Sequence, residues 1–133
     1  MWLLKTEAGT YSWDDLVRDG RATWDGVTNP AALRNMREMK VGDAVAIYHT
    51  GDEKAAVGLA EVTKAAYPDP KSKNPRLCVV DLKPVARLGR PVTLAEIKAS
   101  PEFAESPLVR QGRLSVVPFT APQWKALVAL GRK

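Results

Sequence analysis

The chain alternates short apolar runs with polar, glycine- and proline-punctuated connections. Trp2-Leu3-Leu4, followed by Lys5 and Thr6, predicts a strand at the N-terminus, broken by Ala8-Gly9-Thr10. Ser12, with Asp14 and Asp15 behind it, has the composition of a helix start; Leu16 and Val17 supply an apolar face and Gly20 a stop. Trp24-Asp25-Gly26 reads as a turn-rich segment. Asn29-Pro30 opens a second helix carrying Ala32, Leu33, Met36 and Met39 at helical spacing. Ala44 to His49 and Val57 to Val62 predict two strands around the polar Gly51-Asp52-Glu53-Lys54 connection.

Tyr67 to Pro75 reads as an exposed, proline-rich loop, and Leu77 to Val85 as a half-solvated strand with Asp81 and Lys83 on its polar face. Thr93 and Glu96 form a capping box before a short helix. Ser115 to Phe119 predicts a further strand, and Thr120 with Gln123 caps a last helix through Trp124, Leu127 and Leu130. About five or six strands and three or four helices, with strands dominating the middle, predict an α+β fold around a curled, partly closed sheet.

Composition narrows this picture. The 133 residues suit one compact domain over 1–133, and a 45% hydrophobic, 26% charged content is ordinary for a globular protein. Lys and Arg number 20 against 15 Asp and Glu, a net charge of +5 that suits a polyanionic partner. The cations gather in three stretches: Arg34, Arg37 and Lys40; Lys71, Lys73 and Arg76; Arg110 and Arg113. Lys5 follows the first apolar run too soon for a signal peptide, and no run reaches membrane-spanning length, so a cytoplasmic protein without membrane partners is expected.

Several chemistries lack their residues. One histidine, His49, and one cysteine, Cys78, offer no paired spacing for a structural metal, and Cys78 in an apolar run reads as a buried thiol. Gly51 and Gly58 form no phosphate-cradling fingerprint, and no nucleophile elbow surrounds Ser12 or Ser115. No cofactor, metal site or catalytic residue is therefore expected. The aromatics say more. Of the four tryptophans, Trp2 and Trp124 sit on apolar faces, whereas Trp24 stands among Asp25, Gly26, Thr28 and Asn29. That setting fits a stacking wall with polar groups beside it, and equally a partly buried loop residue.

At this point the chain resembles a known family. Trp2-Leu3-Leu4-Lys5-Thr6-Glu7, Tyr11-Ser12-Trp13-Asp14-Asp15-Leu16 and Trp24-Asp25-Gly26-Val27-Thr28-Asn29 are similar to successive blocks of the EVE domain. The likeness continues through Ala32 to Asp43, Tyr48-His49-Thr50, Val57-Gly58-Leu59-Ala60, Ala66-Tyr67-Pro68-Asp69 and Arg113-Leu114-Ser115-Val116, nearly the whole chain in order. The chain departs from the pattern at Ala8, where proline is usual, at Thr28, where arginine is frequent, and at Pro30-Ala31, where an aromatic is common.

The resemblance implies a PUA-like fold, a small partly closed β-barrel with flanking helices, related to the YTH domains that hold a methylated adenine in an aromatic cage. It further implies a non-enzymatic reader of nucleic acid, DNA or RNA, that captures a flipped, modified cytosine or adenine. Trp24 matches the stacking tryptophan; Ser12, Trp13, Asn29, Asn35, Tyr48, His49, Arg113, Leu114 and Ser115 fall in segments that would line the pocket, with Lys5 and Glu7 at the first strand's exit. Arg34, Arg37, Lys71, Lys73 and Arg110 are rim candidates for phosphates. Local roles compete: Ser12 also suits a helix cap, Trp13 the core, and His49 a bond to a neighbouring carbonyl. Two other functions stay open, a general RNA-binding module indifferent to modification and a small hydrolase or nuclease. Any effector would be a separate protein.

Overall fold

In the computed structural model, which describes residues 1–132, six strands form one sheet in the order β2-β5-β4-β3-β1-β6. The elements run β1 (Trp2–Thr6), α1 (Trp13–Asp19), β2 (Ala22–Trp24), α2 (Pro30–Glu38), β3 (Ala44–His49), β4 (Ala55–Pro68) and β5 (Cys78–Thr93). They continue with α3 (Leu94–Ala99), a 3-10 turn (Pro101–Phe103), α4 (Pro107–Arg110), β6 (Val116–Pro118) and α5 (Ala121–Gly131). The architecture is α+β, a curled half-barrel with short helices packed around it.

β1 occupies the interior of the sheet, parallel to β3 on one side and antiparallel to β6 on the other. Strands covered on both faces read as continuous apolar runs, and the successive residues Leu3 and Leu4, which point to opposite faces, are both fully buried. The long β4–β5 ribbon produces the curl. Its register shifts repeatedly between Ala56 and Tyr67, and each irregularity bends the ribbon and adds twist. β4 consequently runs through Tyr67 and Pro68, where the sequence suggests a loop, and β5 extends well past Val85 to Thr93. Pro68 closes the strand rather than interrupting it, as proline does at strand ends.

The helix starts follow their caps. Ser12 and Asp15, Thr93 and Glu96, and Thr120 and Gln123 each form reciprocal capping boxes. Asn29 Oδ1 accepts from the N–H groups of Ala31 and Ala32 at 2.9 and 3.1 Å, with Pro30 at the first helical position of α2. Gly20 ends α1 with a left-handed φ of 74°. Trp24 is not in a loop: it is the last residue of β2, paired with Val80 and 7% exposed.

Trp13 lies at the centre of this packing. It is buried, and its ring crosses β4 at Gly58, where a Cβ would fall 2.6 Å from Trp13 Cε2 and closer still to two other ring carbons. Among the described residues, no helix is long and apolar enough to cross a membrane.

Candidate functional site

A cavity of about 870 Å³ opens where the end of β1, the α1–β2 connection, the segment after β2 and the β4–β5 turn converge. That is ample for one nucleobase. Its aromatic lining is Tyr11, Trp24 and Tyr67. Tyr11 meets Trp24 edge-on, with ring centroids 6.1 Å apart and planes at 85°. The Tyr67 hydroxyl donates to Asp81 Oδ1 at 2.6 Å, and Thr23 Oγ1 donates to the same atom at 3.0 Å, so β2 and the β4–β5 ribbon are tied together beneath the cavity. Lys64 Nζ stands 4.1 Å from the Tyr67 ring centroid.

The Tyr11 hydroxyl donates to Asp19 at 2.9 Å, and burial followed by that carboxylate pushes its pKa up to about 12. Tyr11 is therefore a fixed neutral donor across the physiological range. The charged lining comprises Lys5, Arg21 and Lys71 with Glu7, Asp19, Asp25 and Asp69. Two of the acids are engaged, Asp19 with Tyr11 and Arg18 and Asp69 with the Lys71 backbone N–H at 2.9 Å. Neither Glu7 nor Asp25 has a side-chain hydrogen bond or ion pair among the described residues. Lys5 Nζ donates to the Gly112 carbonyl at 2.9 Å and lies 5.8 Å from the Tyr48 ring centroid, and burial lowers its pKa.

Of the residues singled out from the sequence, Trp24, Asn29, Ser115, Lys71, Lys5 and Glu7 line this cavity. The others are placed elsewhere, each for a visible reason. Ser12 spends its side chain on the cap of α1, accepting from Asp15 N at 3.1 Å. Trp13 is the core wedge against Gly58. Asn35 ties α2 to β6 by donating to the Val116 carbonyl at 2.8 Å. Tyr48 is buried beneath Lys5.

His49 Nε2 accepts the Trp13 backbone N–H at 3.0 Å, which places its proton on Nδ1, 2.6 Å from Glu53 Oε1. It thus fastens the start of α1 to the end of β3. Arg113 and Leu114 border a smaller adjoining groove of about 340 Å³ with Asn29, Ala31, Gln111 and Gly112. Among the rim cations, Arg37 donates to the Arg76 carbonyl and Arg110 to Ala104 O and Glu105. Arg34 and Lys73 are exposed, with no side-chain partner among the described residues. Tyr11, Arg21, Thr23 and Tyr67 were not singled out as lining, although Tyr11 stands directly before Ser12-Trp13 in a block already marked by its resemblance. Among the described residues no group of three or more His, Cys, Asp or Glu side chains is arranged to hold a metal.

A curled six-stranded half-barrel with short helices around it and an aromatic cavity at one end defines a PUA-like module. Comparison with known proteins agrees. An NMR structure of a Rhodopseudomonas palustris protein superposes with a TM-score of 0.92 at 41% identity, covering 98% of this chain and 91% of that one. Human thymocyte nuclear protein 1 is 30% identical over 166 aligned residues, 99% of this chain and 74% of that protein. The crystal structure of human THYN1 in complex with 5-methylcytosine-containing DNA superposes with a TM-score of 0.90 at 30% identity, covering 99% and 97% of the two chains. The EVE domain model matches residues 1–130, and the chain belongs to the EVE domain family.

Proposed function

We propose that this chain is a non-enzymatic reader of modified nucleic acid, and that a base extruded from its stack enters the cavity beside Trp24. The ligand favoured is a cytosine carrying a 5-methyl group. The observation that carries the reading is the cavity itself: large enough to admit a base, and lined by Tyr11, Trp24 and Tyr67 together with hydrogen-bonding groups. The similarity to human THYN1, solved with DNA containing 5-methylcytosine, supports this choice of ligand.

The energetics limit what each wall contributes. Extruding a base costs a few kcal/mol, and stacking on an aromatic returns about 1–3 kcal/mol. Trp24 shows only 7% of its surface, so its share falls at the low end of that range. Polar contacts to the ring edge and phosphate contacts outside the cavity must supply the surplus. Burying one methyl adds about 0.8 kcal/mol, roughly a fourfold preference over plain cytosine.

The test is fluorescence anisotropy of labelled oligonucleotides carrying one cytosine or one 5-methylcytosine, with DNA and RNA backbones run in parallel. A preference for the methylated base that is lost in Trp24→Ala and partly kept in Trp24→Phe supports the reading. Equal affinity for all oligonucleotides would instead indicate a general nucleic-acid-binding module.

A further inference from the structure

Lys5 lies near the end of β1 and Glu7 is the first residue beyond it, and both line the cavity. Their backbones are held firmly. Lys5 N–H donates to the Ser115 carbonyl at 3.0 Å, and the Glu7 carbonyl accepts from the N–H groups of Thr10 and Tyr11, both at 2.9 Å. Despite their opposite charges, the two form no ion pair with each other: none of the salt bridges among the described residues involves either. Lys5 commits one of its three N–H groups to Gly112, leaving two for a ligand. The Glu7 carboxylate, next to Gly51, has no donor among the described residues.

A cation with two N–H groups to spare and a carboxylate without a partner among the described residues stand as donor and acceptor in one cavity. We propose that Lys5 and Glu7 determine specificity by reading the amidine edge of the ring, an exocyclic amino donor next to an unprotonated ring nitrogen. Cytosine and adenine present that edge, whereas thymine, uracil and guanine present a carbonyl oxygen next to a ring N–H. Glu7 accepts from the amino group, and Lys5 donates to the ring nitrogen or, in cytosine, to its O2. An oxo base would set its carbonyl oxygen against the Glu7 carboxylate, leaving two acceptors without a proton between them. Asp25, also without a side-chain partner among the described residues, is on the segment after β2, and among those residues it lacks the pair of backbone hydrogen bonds that holds the Glu7 carbonyl.

The inference rests on the base-reader proposal, and a pair of isosteric ligands separates the two. 5-Methylcytosine and thymine share shape and methyl group and differ only at the edge in question. The experiment measures anisotropy with single-stranded oligonucleotides carrying one or the other at the same position, which removes any difference in base pairing. The native chain should prefer 5-methylcytosine by about tenfold or more. Glu7→Gln, whose amide can turn either way, should weaken 5-methylcytosine and strengthen thymine until the ratio falls to about two or below. Lys5→Met should weaken 5-methylcytosine, with the salt dependence recorded alongside to separate loss of an edge contact from loss of a phosphate contact.

If both bases bind equally to the native chain but better than an abasic site, the reader stands and the edge assignment is overturned. A ratio unchanged in Glu7→Gln also overturns it. If neither base binds better than the abasic oligonucleotide, the reader proposal itself fails. Because Glu7 is exposed, Glu7→Gln should fold normally, and a melting curve confirms that before binding is read.

Discussion

Replacing Gly58 with alanine tests whether Trp13 is core rather than pocket. The added Cβ would sit 2.6 Å from Trp13 Cε2, about 1 Å inside the distance at which carbon atoms pack. Neither side yields easily. Gly58 is paired on both flanks, to Ile47 in β3 and Arg87 in β5, and the Trp13 backbone is tied to His49. Overpacking of this kind costs about 1–3 kcal/mol, offset by about 0.5–1 kcal/mol from removing a glycine inside a strand.

With an unfolding entropy of about 2.1 cal/mol/K per residue, each kcal/mol corresponds to about 3–4 °C in a chain of 133 residues. Calorimetry of Gly58→Ala should therefore show Tm lower by up to about 9 °C. Trp13→Phe replaces the fused ring in conflict by a smaller one that has room to shift away from residue 58, at a cost of about 1–2 kcal/mol alone. The double variant should recover about 1 kcal/mol or more relative to the sum of the two. Additivity within about 0.5 kcal/mol would refute the wedge. A Trp13→Phe chain that melts normally but loses nucleic-acid binding would return Trp13 to the pocket.

Other expectations follow from single contacts. Glu96 is held down to about 2 by the Arg90 guanidinium, then by the Thr93 N–H; a depressed carboxylate contributes stability above its unfolded value near 4.5 and loses it as pH falls toward 2. The Tm difference between the native chain and Glu96→Gln should therefore be flat above about pH 5 and shrink below it; a constant difference down to pH 2 would contradict the pairing. Asn29→Ala removes the α2 cap and should cost about 0.5–2 kcal/mol in urea unfolding, with Asn29→Asp recovering most of it. Arg34→Ala and Lys73→Ala, both exposed outside the cavity, should each reduce the magnitude of the slope of log affinity against log salt by about 0.9 on duplex DNA; unchanged slopes would remove them from the phosphate path.

What could be read from the chain was local. Ser12, Asn29, Thr93 and Thr120 announce their helices because a cap acts within three residues, and the interior strands announce themselves by unbroken apolar runs. The β4–β5 ribbon was foreshortened because its bulges interrupt the alternation by which strands are recognised. The cavity was half legible. Trp24 and Asn29 stand in one polar segment, but Tyr67 and Thr23 converge on Asp81, 14 and 58 positions away. Nothing near Tyr67 in the sequence announces that convergence. Trp13 and Trp24 also look alike in sequence, as tryptophans flanked by acids and small polar residues. What separates them is Gly58, whose missing side chain leaves the space that Trp13 fills.

The distribution of charge explains how a basic protein can keep a cavity suited to an uncharged ring. Overall the chain carries +5, yet the cavity is lined by three cationic and four acidic side chains. A phosphate drawn inside would meet Glu7 and Asp25, neither of which has a cation to neutralise it, and repulsion in a partly dry space is stronger than at the surface. The surplus lies outside, where Arg34 and Lys73 stand exposed. On the proposed reading the backbone of a nucleic acid would be attracted to the surface while its phosphates are turned away from the cavity, and what would enter is the neutral base. A free mononucleotide, which must bring its phosphate with it, should for that reason bind more weakly than the corresponding nucleoside. Competition of each against a labelled oligonucleotide checks this directly, and a mononucleotide that competes better than its nucleoside would place a phosphate site within the cavity.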